Sequence, residues 1–146
     1  MSHWIYKGKK FTEVPEDAFG FIYRITEKHS GKKYIGRKYF FSTRRIKQKG
    51  KTRRKVTVKE SDWRTYVGSS KPLIEAIEIS GKSNYTFEII GIGCTKGQVN
   101  YMEESILFKT DALIDPMYYN DSVGARRYIG VKIDENFKNA LKSISL

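Results

Sequence analysis

The sequence predicts an α/β (α+β) domain: a small central antiparallel sheet of about three strands, flanked by helices and carrying a basic, ribbon-like β insertion. Three observations predict it. Two strand-like runs flank a polar turn within residues 19–38. A third alternating run, at 85–92, lies between two segments with helical signals. Between the hairpin and the first helix, positive charge is packed into one stretch. We read the whole chain, 1–146, as one domain: a lead-in (1–18), a core (19–120) with a basic insertion (37–59), and a C-terminal extension (121–146).

In the lead-in, Trp4-Ile5-Tyr6 and Lys10-Phe11 around Lys7-Gly8-Lys9 predict a short hairpin, with Trp4 and Phe11 packing on the sheet. The main hairpin follows. Phe19, Phe21, Tyr23 and Ile25 alternate with Gly20, Ile22 and Arg24, the two-residue period of a strand rich in aromatic and β-branched side chains. A polar turn with Gly31 after Ser30 leads into a second run from Lys33 to Arg37. This hairpin brings Tyr23 and Tyr34 onto adjacent strands, where both phenols can share one face.

From Arg37 to Lys59 the chain carries eleven positive side chains and no acid: Arg37, Lys38, Arg44, Arg45, Lys47, Lys49, Lys51, Arg53, Arg54, Lys55 and Lys59. Such a run is either a solvated face or a polyanion contact. Its direct connection to the tyrosine hairpin, and the Trp63 and Tyr66 that follow it, favour nucleic acid. Val56-Thr57-Val58 and Gly50 suggest a β-ribbon. Ser70 then caps a helix with Pro72 in its first turn, Leu73, Ile74 and Ile77 inward, and Gly81 at its end. After the 85–92 strand, Thr95 caps a second helix to Leu113, with Val99, Met102, Ile106 and Leu113 inward, before Asp115-Pro116. Asp134 caps a last amphipathic helix with Phe137, Leu141 and Ile144 in register.

The formal net charge of +12 implies a polyanionic partner, most simply nucleic acid, while 39% hydrophobic and 14% aromatic content marks a folded chain. A single cysteine, Cys94, excludes an internal disulfide and a cysteine-based zinc site; its apolar surroundings predict a buried structural thiol. With only His3 and His29, a histidine-rich metal site is excluded too. No stretch reaches the ~20 apolar residues of a membrane span, and no apolar signal core opens the chain, so it reads as a soluble, cytoplasmic protein.

At its hairpin the chain resembles the GIY-YIG nuclease family. The first motif stands as Phe21-Ile22-Tyr23, with Phe where the family often has its first glycine, and the second as Tyr34-Ile35-Gly36. A helical Glu (Glu103 or Glu104) and Tyr119-Asn120 follow in the family's order. The resemblance, over residues 19–120, implies a DNA endonuclease of the phage or homing type that leaves 5′-phosphate and 3′-hydroxyl ends. It implies one divalent cation, Mg²⁺ with Mn²⁺ as the alternative, carried by the helical Glu. It assigns Tyr23 as base or orienter of the attacking water, Tyr34 beside it, an arginine on the phosphate, and Asn120 as an organiser of the site.

Phosphodiester hydrolysis needs an activated water, neutralised phosphate charge and a stabilised leaving oxygen, which these groups can supply. A tyrosine with an ordinary pKa near 10 serves as base only if cations, such as the flanking Arg and Lys side chains and the metal, favour its phenolate, and the basic setting is expected to do so. Glu103 borders the stripe of Met102 and Ile106 and is preferred to Glu104, which points further toward solvent. Arg44 and Arg45 match the family's short arginine spacing, with Arg64 the candidate if the insertion precedes the helix. Arg37, Lys38, Lys47, Lys49, Lys51, Arg53, Arg54, Lys55, Lys59 and Arg64 are expected to contact nucleic acid, double-stranded DNA first, and the protein could work as a homodimer. The competing readings are a non-catalytic nucleic-acid-binding protein on the same fold, and a ribonuclease.

Overall fold

A computed structural model describes residues 1–124, 126–127 and 135–145. In chain order its elements are β1 (Ile5–Tyr6), β2 (Lys9–Lys10), β3 (Gly20–Glu27), β4 (Lys33–Tyr39), β5 (Phe41–Ile46), β6 (Lys55–Glu60), α1 (Lys71–Ser80), a 3₁₀ turn (Lys82–Asn84), β7 (Tyr85–Gly93), α2 (Lys96–Lys109), β8 (Ser122–Val123), β9 (Arg126–Arg127) and α3 (Glu135–Ser143). The main sheet runs β2-β1-β7-β3-β4. Of its three long strands, β3 lies between β7 and β4 and pairs antiparallel with each, as expected. The lead-in adds two short strands that the sequence did not assign to this sheet: Ile5 and Tyr6 pair in parallel with Glu88 and Ile89.

The two-residue alternation of β3 divides the core. On one face Phe21, Tyr23 and Ile25 pack with Trp4, Phe40, Trp63 and the α1 residues Leu73 and Ile77. On the other, Ile22 and Ile35 pack with Val99 and Leu107 of α2 and with Ala112. Trp4 and Phe11 are buried, so the lead-in closes the first face. Both buried indoles satisfy their donors: Trp4 Nε1 donates to the Trp63 carbonyl (2.6 Å) and Trp63 Nε1 to Glu60 Oε1 (2.7 Å). The apolar end of β7, which breaks alternation, is explained by a bulge: the register with β3 shifts between Ile22 and Tyr23, opposite Ile90. Beyond it, Gly91 lies under Met102, whose sulfur would sit 2.6 Å from a Cβ there.

Helix α1 matches its sequence signals. Ser70 Oγ accepts from the Leu73 amide, and Gly81, at φ 89°, donates its amide to the Ile77 carbonyl. Helix α2 is capped by Thr95 but ends at Lys109, short of the expected Leu113. The chain turns out through Asp111, at φ 53°, before Asp115-Pro116 is reached. Cys94 is exposed, correcting its expected burial: the apolar run has ended at Gly93, and the Cys94 amide donates to Gln98 Oε1 at the helix start (2.8 Å). Phe137, Leu141 and Ile144 each keep about half their surface exposed, and the proposed cap Asp134 lies outside the described residues. No described helix is long and apolar enough to cross a membrane.

The basic segment splits in two. Arg37 and Lys38 belong to β4, and the insertion proper is a two-stranded antiparallel ribbon, β5–β6, with its tip at Gly50 (φ 76°). Its base is pinned where the Phe40 amide donates to the Phe19 carbonyl (3.0 Å) and the Ser61 amide to the Phe40 carbonyl (2.9 Å). By register, one ribbon face carries Arg44, Lys55 and Lys59, and the other Phe41, Val56 and Val58 with Arg45 and Glu60.

His3 reports on the packing of the first face. Its ring stacks on Phe87 at 4.1 Å and its Nε2–H donates to the Tyr66 carbonyl at 3.0 Å, while buried Nδ1 has no hydrogen-bond partner among the described residues. Burial, with the Lys82 charge second, lowers its pKa from 6.5 to about 4. The unfolded chain therefore takes up this proton before the folded one. The stability contribution is complete above pH 6.5 and falls as the pH drops toward 4. Thermal melts across that interval are expected to fall more steeply for the wild type than for His3→Gln.

Candidate active site

The β3–β4 register builds the site. Tyr23 stands opposite Gly36 and Tyr34 opposite Ile25, so the two tyrosines are diagonal neighbours on one face, with ring centroids 6.1 Å apart. Tyr23 lies across its partner: a Cβ at Gly36 would fall 2.3 Å from the Tyr23 hydroxyl oxygen. Gly68, at φ 94°, lets a second backbone approach, 3.3 Å from that oxygen to where a Cβ would be. Tyr66 meets Tyr23 edge-on at 6.0 Å, and the hydroxyls of Tyr34 and Ser69 are 3.4 Å apart.

Two further groups arrive from the α2 side of the sheet. Arg37 and Glu103 form an ion pair, Nη1 to Oε1, of 2.6 Å. Asn120 grips the β4 backbone with both ends of its amide: Oδ1 accepts from the Ile35 amide (3.0 Å) and Nδ2 donates to the Ile35 carbonyl (2.7 Å). Tyr23, Tyr34, Arg37, Tyr66, Glu103 and Asn120 all line one cavity of about 740 Å³, which also takes in Ser69, Ser70 and Lys71 at the start of α1.

Electrostatics here depart from expectation. Burial first, then the neighbouring Tyr34, Tyr66 and Glu103, push the Tyr23 phenol well above its ordinary value of 10.0. Tyr34 is also raised, chiefly by burial, although the Ser69 hydroxyl opposes the shift. Among the protein's own groups, burial, neighbouring tyrosines and acids set these shifts, rather than the flanking Arg and Lys side chains that were expected to favour a phenolate. Glu103 is raised by burial against the opposing pull of Arg37. At the guanidinium the balance reverses: burial, which lowers its pKa, is outweighed by Glu103 and the proton is held more firmly.

The other predicted residues lie elsewhere. Arg44 and Arg45 stand on exposed β5, outside the lining of this cavity. Arg64 turns toward the lead-in, donating to the Thr12 carbonyl and to Glu60 Oε1 (3.1 Å), with its guanidinium 4.5 Å from the Trp63 ring centre. Lys38 pairs with Asp62 at 2.6 Å. Lys47, Lys49, Lys51, Arg53 and Arg54 occupy the ribbon tip, and Lys55 and Lys59 its second strand. Glu104 is exposed, one position from the wall. The sequence reading missed Tyr66 and the Gly68-Ser69-Ser70-Lys71 turn as parts of the site; the cap at Ser70 was visible, but not where that helix start would land.

A family model described as "Putative endonuclease segE, GIY-YIG domain" matches residues 4–123. The chain belongs to this GIY-YIG family. It is accordingly an endonuclease acting on nucleic acid, in a family whose members generally use a divalent metal. No curated protein and no solved structure matched the chain.

The residues suit such a metal. Among the described residues no three acidic, histidine or cysteine side chains cluster into a metal cage. The cavity instead offers the largely buried carboxylate of Glu103, with Asp121 elsewhere on its wall. A hard cation such as Mg²⁺ fits that set, since it keeps several waters and takes one or two carboxylates beside substrate phosphate oxygens.

Gly36 offers a direct check. Gly36→Ala is expected to destabilise the fold by about 1–3 kcal/mol, as overpacking does, and to displace the Tyr23 phenol. Denaturant melts together with the near-ultraviolet tyrosine signal would measure both effects.

Proposed function

We propose that this protein is a metal-dependent DNA endonuclease of the phage or homing type, cutting double-stranded DNA to 5′-phosphate and 3′-hydroxyl ends. The convergence of Tyr23, Tyr34, Arg37 and Glu103 on one cavity beside a cationic ribbon carries this reading. Glu103 would hold the ion, Mg²⁺ by its oxygen donors, which when bound would supply neutralisation of phosphate charge and stabilisation of the leaving oxygen. Water attacks phosphorus as the P–O3′ bond breaks; the proton the water gives up passes to solvent, and the 3′-oxygen takes one from solvent to leave as a hydroxyl. Tyr23 and Tyr34, kept protonated by burial, hold water and a phosphate oxygen by hydrogen bonds, so Tyr23 orients the nucleophile. Arg37 meets the scissile phosphate in the role the family spacing assigned to Arg44 or Arg45. Asn120 fixes the strand that carries Tyr34 and Arg37.

With supercoiled plasmid and Mg²⁺, wild-type protein is expected to nick. Tyr23→Phe, Arg37→Ala and Glu103→Ala should each slow nicking by about a hundredfold or more, the scale of removing one group that stabilises the transition state. The double variant Arg44→Gln/Arg45→Gln should retain the rate at saturating protein. The converse result, with Arg37→Ala active and the ribbon variant dead, would return the phosphate role to the ribbon.

The ribbon serves as the nonspecific DNA contact. Two antiparallel strands fit a major groove, and its cations neutralise phosphates, releasing counterions. Replacing Arg53, Arg54 and Lys55 with Gln should weaken binding and reduce the slope of log K against log salt by about 0.9 for each phosphate that is no longer neutralised. Anisotropy titrations over a salt series measure it, and an unchanged slope would remove the ribbon from the interface.

A further inference from the structure

A second cavity, of about 430 Å³, opens where the end of β4, the start of β5 and the beginning of α2 meet. Its chemistry differs from the first. Three cations line it, Arg37, Lys38 and Lys96, and no carboxylate does, whereas Glu103 and Asp121 stand on the wall of the other. Three aromatic rings line it as well. Phe19 and Tyr39 meet edge-to-face at 5.0 Å, and the Tyr39 hydroxyl is fixed by donating to Asn100 Oδ1 (2.7 Å). Phe41 stays 43% exposed although the buried Phe40 is its chain neighbour. Ser42, Thr43 and Ser61 complete the lining, the Ser61 hydroxyl donating to the Tyr39 carbonyl (2.6 Å).

Cations and ring faces together, with acids absent from the lining, exclude a divalent ion as the natural occupant and select a ligand with both a phosphate and a flat π surface. The volume falls within the ~300–1,000 Å³ of small-ligand pockets. Arg37 lines both cavities, so an occupant of the second lies one side chain away from the reacting phosphate.

We propose that this cleft is a nucleotide subsite: it takes the DNA nucleotide adjoining the scissile phosphate, its base unstacked against Phe41 and its own phosphate held by Lys96. The proposal rests on the endonuclease reading of the first cavity. It adds a requirement that the ribbon's charge does not make: the nucleotide beside the cut must leave the base stack. Lys38, already paired with Asp62, contributes its charge to the rim. Phe41, on the ribbon face opposite Arg44, links DNA held by the ribbon to the site of reaction.

The test uses the full chain with Mg²⁺ omitted and short DNA duplexes, read by anisotropy. Phe41→Ala is expected to bind about tenfold more weakly, the scale of removing one base-stacking ring, and Phe41→Trp to bind as wild type. Lys96→Gln should lower the salt slope by about one, and Lys109→Gln, the same charge change at the far end of α2, should leave it unchanged. With 5-iodouracil placed in turn at each position around the mapped cut, photocrosslinking should join Phe41 to the base next to the cleaved bond. Wild-type affinity in Phe41→Ala, equal slopes for the two lysine variants, or a crosslink confined to distant bases would each overturn the subsite. So would the same losses on an RNA hairpin with none on DNA. Plasmid nicking by the wild type tests the endonuclease reading separately, because the binding measurements need no cleavage.

Discussion

Strand β4 lies at the edge of the main sheet, so its outward amides and carbonyls must find partners beyond the sheet. Residues 117–120 supply them in sequence. The Lys33 amide donates to the Met117 carbonyl and the Tyr119 amide to the Lys33 carbonyl, both at 2.8 Å. At Ile35 the backbone pattern gives way to the Asn120 side chain, whose amide supplies one donor and one acceptor as a neighbouring strand would. This clamp ties a segment more than eighty positions distant onto the hairpin, and it ends where Arg37, the next outward-facing residue, reaches the cavity.

Burial then sets the charge balance of the site. Glu103 keeps only 12% of its side chain exposed, and Arg37, 2.6 Å away, keeps 37%. Desolvation still prevails at the carboxyl, since its pKa rises despite the partner. A substrate phosphate that draws Arg37 away must therefore leave Glu103 another positive partner, or strand a buried charge at a cost of several kcal/mol. The two charges thus neutralise one another within the cavity wall. The phenols follow the same balance: burial first, then acidic and phenolic neighbours, raises both.

Local pattern carried much of the fold into the sequence. The alternation around Tyr23, the Ser70 and Thr95 caps, and Gly50 in a β-branched ribbon all express backbone preferences within a few residues. Features set by distant packing were not legible. Cys94 was misplaced because an apolar run does not reveal where its strand ends. The α2 terminus was overrun because its stop, Asp111 in a left-handed conformation, is a weaker signal than the proline after it. Within the site, the tyrosines, Glu103 and Asn120 could be proposed from motif order, and the structure gathers them at one cavity. Tyr66 and the Ser69-Ser70 turn could not, since they join through the α1 approach rather than through any spacing. The phenol environment was misjudged because eleven nearby charges in sequence lie mostly on a ribbon that leads away from the tyrosines.

The arginine shows how an insertion alters the meaning of a spacing. Counting ten residues past Tyr34 assumes a helix that turns back over the sheet; here those residues enter β5, where Arg44 pairs with Thr57 and shares a face with Lys55 and Lys59. Arg37 comes from the strand itself. It stands at odd separation from Tyr34, so it projects from the opposite face of β4, the face on which α2 and Glu103 pack. In a central strand, neighbours on both sides would keep those faces apart, and a phenol above could share no cavity with a guanidinium below. Only at an edge can side chains from both faces meet around the strand's open side. The position of β4 at the sheet edge is therefore what lets Tyr34 and Arg37 line one cavity.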